Sequence, residues 1–215
     1  MKPKLLIYKN PQNEQTCYQL PIDEEHGEKV RLIKDHIVAS FSRQGYEGYS
    51  LEIDKYYDLF SIYFYVEDST GGVVATLRIT QKTKDNALPF EAGLKNDGTK
   101  YALKEKVKVG DVNSFTFNSY QALPLLFATA SRYAHEDGVR KGFCLLDDAA
   151  ARIKKIYLSA GFDYSKKYNE KIFFPTFGKT ENGIFNPTYW SIMEISHENI
   201  CGHSKNADKY LRVAD

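Results

Sequence analysis

The sequence predicts a mixed α/β fold of the α+β type, in which helices cover a largely antiparallel sheet. Two observations carry this prediction. Short segments with the two-residue apolar alternation of strands recur along the chain, and amphipathic segments with helical spacing separate some of them. Their predicted order, β-α-β-β-β-α-β-α-β-β, lacks the regular β-α repeat of a parallel sheet. No Gly-rich dinucleotide-binding fingerprint is present.

Two elements are predicted before residue 45. The segment 4–8 is short and apolar and predicts a first strand. Residues 23–44 predict a helix, whose apolar positions recur on one face: Val30, Ile33, Ile37 and Phe41. Asp23 is a suitable N-terminal cap, the acidic residues 24 and 25 suit the positive end of the helix, and Gly45 is a natural stop.

A hairpin and a long polar segment follow. Residues 61–67 (SIYFYVE) and 72–80 (GVVATLRIT) alternate like strands, and the turn-forming sequence DSTG separates them. In the second strand one face is apolar, and the other carries Thr76, Arg78 and Thr80. Residues 81–110 are polar and irregular, and long excursions of this kind are often functional.

The second half predicts a strand, a helix, a strand and a helix, followed by two strands. The elements are a strand at 112–118, a helix from Leu123 to Ala134 that ends by Gly138, a buried strand at 142–146, a helix capped by Asp147 or Asp148 and ended by Gly161, and strands at 171–177 and 188–195 separated by a loop containing Gly, Asn and Pro. Residues 197–215 are polar and predict a loose tail or a short helix.

Composition excludes several classes of protein. The 29 Lys and Arg residues nearly balance 28 Asp and Glu residues, so the basic excess of a general nucleic-acid binder is absent. Three widely spaced cysteines without a CxxC motif predict neither a disulfide framework nor a cysteine-built metal site, and His197, His203 and Cys201 lack a fourth ligand. No apolar run reaches the ~20 residues of a membrane span. We expect a cytoplasmic protein without a metal.

The segment 112–162 resembles the acyltransferase fold of the GCN5-related N-acetyltransferases (GNAT). Its most specific part is the sequence YLSAGF at residues 157–162, which is similar to the family's ending of a tyrosine, three residues, glycine and phenylalanine. The resemblance implies that Tyr157 protonates the leaving thiolate. The alternative is that Tyr157 only packs against the core.

An ordered set of motifs resembles one branch of this family over residues 45–165. The motifs are EIDKYYD at 52–58, VATLRI at 74–79, LPFE at 88–91 and DVNSF at 111–115. The branch contains acyl-homoserine-lactone (autoinducer) synthases and N-acyl amino acid synthases, which transfer a fatty acyl group from acyl carrier protein to an amine. The resemblance implies one GNAT-like acyltransferase domain over residues 1–196 and a polar tail over 197–215.

Four differences from the lactone synthases favour the N-acyl amino acid branch. Ser114 stands where they usually carry an arginine, and Asp111 stands where they carry a glutamate. Asp54 and Asp58 are one residue further apart than usual, and no tryptophan precedes Trp190. The implied function is N-acyltransfer to the amine of an amino acid or a similar small molecule.

The donor is expected to be an acyl-phosphopantetheine thioester, with no covalently bound cofactor. Acetyl-CoA enzymes place a Gly-rich turn at the strand–helix junction, where backbone N–H groups approach the pyrophosphate. Residues 118–124 (NSYQALP) contain no glycine, which favours acyl carrier protein over acyl-CoA as the donor. Two alternatives stay open: a CoA-dependent N-acetyltransferase and a catalytically silent GNAT-fold binding module.

The chemistry requires a base, a polarised thioester and a sheltered acyl chain. Asp111 or Glu91 is the predicted base. Arg78 is expected to bind the acceptor's carboxylate within an Arg–Asp network with Asp54 and Asp58, unless it only forms a salt bridge with Glu52, Asp54 or Asp58. The thioester is expected between strands 112–118 and 142–146, next to Ser114, Phe115, Thr116, Phe117 and Cys144.

Two further groups of residues are predicted to serve the donor. Aromatic residues can line an acyl tunnel or simply fill the core: Phe115, Phe117, Phe127, Phe143, Phe173, Phe174 and Trp190. Acyl carrier protein is acidic, so basic residues around the entrance can form a docking face or be ordinary solvated side chains: Arg132, Arg140, Lys141, Arg152, Lys154 and Lys155.

Overall fold

Eleven strands form one sheet in the computed structural model, which describes residues 5–22 and 26–213. The strands are β1 (Leu6–Lys9), β2 (Thr16–Pro21), β3 (Tyr46–Glu47), β4 (Ser61–Glu67), β5 (Val73–Gln81), β6 (Val109–Phe117), β7 (Lys141–Asp147), β8 (Phe162–Tyr164), β9 (Ile172–Glu181), β10 (Ile184–Ser196) and β11 (Leu211–Val213). Their order is β11-β1-β2-β4-β5-β6-β7-β10-β9-β3, and β8 also pairs with β10. Only β6 and β7 are parallel among these described strands.

Helices cover both faces of this sheet. They are α1 (Gly27–Arg43), α2 (Leu51–Asp58), α3 (Pro89–Ala92), α4 (Leu123–Glu136), α5 (Ala151–Ser159) and α6 (His197–Asn206). Alternate side chains of β4 enter opposite layers of the core, because successive strand residues point to opposite faces. Tyr63 and Tyr65 belong to the cluster that contains α1, and Ile62 and Phe64 to the one that contains α4. The predicted α+β class with a largely antiparallel sheet is confirmed.

The elements with the clearest apolar period agree with the predictions. Strand β4 has the predicted bounds, and α1 buries Val30, Ile33 and Ile37 on one face. The chain leaves α1 through Gly45, whose φ of 79° suits glycine. The predicted cap at residues 23–25 lies outside the described residues. None of the helices described combines the length and the apolar character needed to cross a bilayer.

The predicted cap of α5 is wrong. The helix begins after Ala150, without a side-chain cap. Asp147 instead accepts hydrogen bonds from the hydroxyl of Tyr46 and the amine of Lys179, and Asp148 accepts from Tyr164 and Ser191. Asp147 also accepts a hydrogen bond from the backbone N–H of Ala149 at 2.9 Å, so it stays next to the helix end without capping the helix, while long-range partners hold Asp148.

The C-terminal part is more regular than the sequence predicts. The loop expected between residues 177 and 188 is wrong, because β9 and β10 continue to a tight turn at Asn182 and Gly183 with φ values of 53° and 77°. Of the two alternatives for residues 197–215, the helix is the one observed. The side chain of Ser196 caps α6, which packs on α4, and β11 pairs with β1.

Candidate active site

The parallel strands β6 and β7 separate halfway along their length. Their pairing runs from Val109 opposite Lys141 to Val112 opposite Cys144, and it ends there. Both strands continue, to Phe117 and to Asp147. The sheet is therefore open between the second halves of these strands, where the sequence predicts the thioester.

A β-bulge in β6 lies at the start of this opening. Between the pairs Arg78–Asn113 and Thr76–Thr116, β6 has one residue more than β5. Ser114 takes up the extra residue with a φ of 51°, a region that non-glycine residues seldom occupy. The hydroxyl of Thr76 donates to the carbonyl oxygen of Ser114 at 3.0 Å and holds the bulge in place. Such bulges re-aim the backbone next to active sites.

A cavity of about 200 Å³ lies against the bulge and the opening. Part of its wall is aromatic and brings together residues far apart in sequence: Phe41, Tyr46, Tyr49, Phe174, Phe177 and Trp190. The rings of Phe177 and Trp190 are stacked with centroids 5.5 Å apart, and Tyr46 stacks on Trp190 at 5.6 Å. Another part of the wall is polar and contains Asp54, Arg78, Asn113 and Ser114.

Arg78 is the cationic centre of the polar wall. The residue is 3 % exposed, and its Nε donates to Oδ1 of Asn113 at 2.6 Å. Nη1 pairs with Asp54 and lies 3.4 Å from Oδ1 of Asp58. Lys34 also pairs with both carboxylates, so two cations balance two anions. The predicted Arg–Asp network is therefore formed, by Asp54 and Asp58 rather than by Glu52.

The two carboxylates of this network differ in their pKa. Burial raises the pKa of Asp54, but Arg78 and Lys34 outweigh burial and hold it below its ordinary value. For Asp58, burial raises the pKa and the bond from Lys34 offsets it only in part, so this pKa stays above the ordinary value. Asp54 therefore stays ionised to lower pH than Asp58 does, which makes it the more stable anionic partner of Arg78.

Asp111 does not line the cavity, but it contacts Asn113, which does. It is fully buried, and its Oδ1 accepts from the amide of Asn113 at 3.0 Å. Its Oδ2 has no hydrogen-bond partner among the described residues. Burial raises its pKa to about 7, although Asn113 and Arg78 lower it. Asn113 therefore links this titratable carboxyl group to Arg78.

Both carboxylate oxygens of Glu91 accept hydrogen bonds from residues of its own segment. One of its oxygens accepts from the backbone N–H of Leu88 and from Lys82, each at 2.7 Å. The other accepts from the backbone N–H of Leu103 at 2.8 Å. These bonds tie α3 to the rest of segment 81–110, and Glu91 is not among the residues that line the cavity. Of the two predicted bases, Asp111 is the one with a free oxygen.

Tyr157 lines the cavity from α5. Its ring packs on Phe115 with centroids 5.6 Å apart and on Phe162 at 5.2 Å. Burial raises the pKa of its hydroxyl well above the ordinary value, with smaller contributions from Cys144 and Asp111. The hydroxyl is therefore protonated at neutral pH.

The remaining predicted substrate-binding residues divide into two groups. Ser114 and Phe115 line the cavity, whereas Thr116, Phe117 and Cys144 do not. Thr116 bonds to Thr76 beneath the bulge, and Phe117 stacks on Phe115 outside the cavity. Cys144 is fully buried, and burial raises the pKa of its thiol well above the ordinary value.

The aromatic residues named as candidates for an acyl tunnel are divided between this cavity and the rest of the protein. Of the seven candidates only Phe115, Phe174 and Trp190 line this cavity. Several residues of the wall were missed at the sequence level: Tyr46, Tyr49, Asn113, Asp147 and Phe177. The short pairing of β3 with β9 brings Tyr46 near Phe177, and no local sequence signal predicts that pairing.

The predicted basic residues do not form one face. Arg140 and Lys141 lie at the start of β7, at the opposite end of the strand from the cavity, and Lys141 lies near Glu105 and Glu194. Arg132 pairs with Asp208 and Glu136. Arg152 and Lys155 are exposed on α5, and Nε of Arg152 donates to the hydroxyl of Tyr120 before α4.

Comparison with known proteins connects this geometry to one fold. No protein-family model and no curated protein matches the sequence. Among solved structures, FeeM, an N-acyl amino acid synthase from uncultured soil microbes, is similar with a TM-score of 0.58 and 14 % identity, over 92 % of this chain and 98 % of that one. A spermidine N-acetyltransferase from Vibrio cholerae in complex with CoA and spermine is similar with a TM-score of 0.51 and 10 % identity, over 86 % and 98 %. The chain therefore has the GNAT fold.

Proposed function

We propose that this protein is an N-acyltransferase, which moves an acyl group from a phosphopantetheine thioester to the amine of an acceptor that also carries a carboxylate. The observation that carries the proposal is the buried Arg78 in the polar part of a cavity whose wall is partly aromatic, at the opening between β6 and β7. The likeness to FeeM, whose name describes it as an N-acyl amino acid synthase, supports the same reaction class.

The donor thioester enters the opening between the two strands. Its carbonyl oxygen lies near the backbone N–H groups of β6 that follow the bulge, which polarise it as an oxyanion hole does. The acyl chain then packs against aromatic side chains such as Tyr46, Phe177 and Trp190. This aromatic wall is larger than an acetyl group needs, so we favour a longer acyl chain.

The acceptor's carboxylate binds Arg78. A guanidinium forms strong, charge-assisted hydrogen bonds to a carboxylate, and burial strengthens them because water is excluded. Asp54 and Asn113 hold the guanidinium in a fixed orientation. In this proposal the α-amine of an amino acid lies a few bonds from Arg78, beside the bulge at Ser114.

Proton transfer completes the reaction. The amine nitrogen attacks the carbonyl carbon of the thioester, and its proton passes through a bridging water to Asp111. The tetrahedral intermediate then collapses, the C–S bond breaks, and the sulfur takes the proton of the Tyr157 hydroxyl. The amide and the free thiol are the products, and the proton on Asp111 returns to Tyr157 through solvent.

The Tyr157→Phe variant is expected to lower kcat by about 10²-fold, at the lower end of the effect of general acid–base catalysis. Because the phenyl ring keeps the contacts with Phe115 and Phe162, the melting temperature should stay unchanged. Steady-state kinetics with thermal denaturation checks both. Full turnover in the folded variant would mean that Tyr157 only packs against the core.

Acyl carrier protein is the donor that we favour, and α5 is the surface proposed to receive it. Reversing the charges in Arg152→Glu/Lys155→Glu should slow the reaction with acyl carrier protein about tenfold at low salt, because opposite charges steer association. Acyl-pantetheine of the same chain length should react at the parental rate. The matched control is Lys141→Glu, at the far end of β7. Equal losses with both donors, or indifference to salt, would contradict carrier docking at α5.

The function is tested by supplying acyl carrier proteins and acyl-CoAs of several chain lengths together with the twenty amino acids. Mass spectrometry identifies the products, and a thiol reagent measures thiol release. We expect an N-acyl amino acid with stoichiometric release of thiol. Acetylation of amines from acetyl-CoA alone would instead support a CoA-dependent N-acetyltransferase, and donor binding without turnover would support a silent binding module.

A further inference from the structure

Two histidines and one cysteine converge where the end of α4 meets the start of α6. His135 lies in the last turn of α4, and His197 and Cys201 lie four residues apart on one face of α6. The Sγ of Cys201 is 3.3 Å from Nδ1 of His135 and 3.3 Å from Nε2 of His197. The three potential ligand atoms lie within 4.8 Å of one another.

These distances are close to those of a tetrahedral metal site. With zinc–sulfur and zinc–nitrogen bonds of about 2.3 and 2.0–2.1 Å, a sulfur and a nitrogen ligand are about 3.5 Å apart. The two observed sulfur–nitrogen distances of 3.3 Å are close to this value. Because Sγ also lies 3.8 Å from Nδ1 of His197, the thiol or the ring of His197 must rotate for Nε2 to face the ion. Cys201 and His197 are partly exposed and His135 is exposed, so an ion can enter from solvent.

A backbone carbonyl fixes which ring nitrogen of His197 carries the proton. Nδ1 of His197 lies 3.2 Å from the carbonyl oxygen of Val139, which can only accept a hydrogen bond. Nδ1 therefore carries the proton, which leaves Nε2, 3.3 Å from Sγ of Cys201, as the ring nitrogen that has a lone pair to offer to an ion. Zinc-binding histidines usually have this kind of support on the second ring nitrogen.

We propose that His135, His197 and Cys201 bind a zinc ion, with solvent in the fourth position. A thiolate and two imidazoles suit zinc better than the hard cations calcium or magnesium. The sequence alone suggests His203 as the neighbour of Cys201, but Nε2 of His203 lies 2.9 Å from the carbonyl oxygen of Ala160. The ion would join α6 to α4, so zinc stabilises the docking of the C-terminal helix.

Among the contacts described for this cluster, Arg140 is the one charged side chain whose positive charge disfavours binding of a cation. Its guanidinium contacts Nε2 of His197. Because Arg140 is exposed, it can swing into solvent when zinc binds. Replacing it by alanine removes a positive charge next to the ion, so Arg140→Ala should bind zinc more tightly than the parent protein does.

The test is titration of the reduced, metal-free protein with Zn²⁺ and with Co²⁺. We expect one equivalent of Zn²⁺ to bind and to raise the melting temperature, and Co²⁺ to give a thiolate-to-metal charge-transfer absorption band. Cys201→Ser should abolish this band and weaken Zn²⁺ binding by more than about 100-fold, since loss of a ligand exceeds the 10–100-fold effect of second-shell changes. His135→Ala should weaken binding similarly.

His203→Gln is the matched control, because it removes a histidine from the same helix while keeping a donor for Ala160. It should retain the parental affinity and the Co²⁺ band. The proposal is overturned if the parent protein shows no Co²⁺ thiolate band, or if Cys201→Ser binds Zn²⁺ as tightly as the parent. It is also overturned if His203→Gln loses binding as fully as His135→Ala.

Discussion

The Asp111→Asn variant is expected to lose about 10²–10⁴-fold in turnover while its fold becomes more stable at pH 8 than that of the parent protein. The loss of turnover follows if Asp111 accepts the proton of the attacking amine. The asparagine keeps an oxygen for the amide of Asn113 and nearly the same volume. Single-turnover kinetics, together with chemical denaturation at several pH values, measures both quantities.

The gain in stability follows from the raised pKa of Asp111. Its folded-state pKa is about 7, against 3.8 for an ordinary aspartate. Between these values the folded protein holds a proton that the unfolded chain releases, so the free energy of unfolding falls as pH rises from about 4 to about 7. At pH 8 this shift in pKa lowers the free energy of unfolding of the parent protein by roughly 4 kcal/mol. The asparagine variant has no carboxyl group at this position and does not lose this stability.

Glu91→Gln is the contrasting variant. It weakens the ion pair with Lys82 and the bonds that hold segment 81–110, so stability should fall more than turnover. If Asp111→Asn keeps full turnover, Asp111 is not the base. If Asp111→Asn unfolds, or if its free energy of unfolding falls with rising pH as that of the parent protein does, the raised pKa of Asp111 is wrong.

The Arg78→Lys variant is expected to raise the KM for the acceptor by about ten- to a hundredfold and to leave the KM for the donor nearly unchanged. Lysine keeps the positive charge beside Asp54 but cannot reproduce the planar fork of donors that grips a carboxylate. Arg78→Ala should also cost about 3–5 kcal/mol of stability, because it leaves a buried carboxylate short of a partner. KM measurements for both substrates and thermal denaturation separate these effects.

Lys34→Met supplies the matched control for Arg78. Lys34 pairs with the same two carboxylates, but it is not among the residues that line the cavity. It should lower stability without raising the acceptor's KM. A lysine at position 78 that binds the acceptor as well as arginine does would show that Arg78 only balances the charge of Asp54 and Asp58.

Apolar periodicity predicts the elements whose buried residues are apolar. Helix α1 and strand β4 are of this kind. Helix α2 was missed, because its buried positions include Asp54, a polar residue that breaks the apolar pattern. Strand β2 buries Gln19 between Cys17 and Leu20, which obscures the pattern in the same way.

The site depends on contacts between distant segments, which a single sequence does not contain. The resemblance identified Arg78, Asp54 and Asp58, and the structure joins them in one network. The left-handed backbone of Ser114 has no local signal, since serine does not favour it; it results from the register of β5 against β6. The approach of His135 to Cys201 likewise follows from the packing of α4 on α6.

The central claim is that the buried Arg78 selects an amine acceptor by its carboxylate during acyl transfer. Its most direct test compares each amino acid with its carboxamide, which carries the same amine but no negative charge, at one acyl donor. Mass spectrometry of the products should show acylation of the amino acid and a drop of about ten- to a hundredfold in kcat/KM for the amide, a difference that Arg78→Lys should reduce. Equal acylation of the two, or of neither, would contradict the claim.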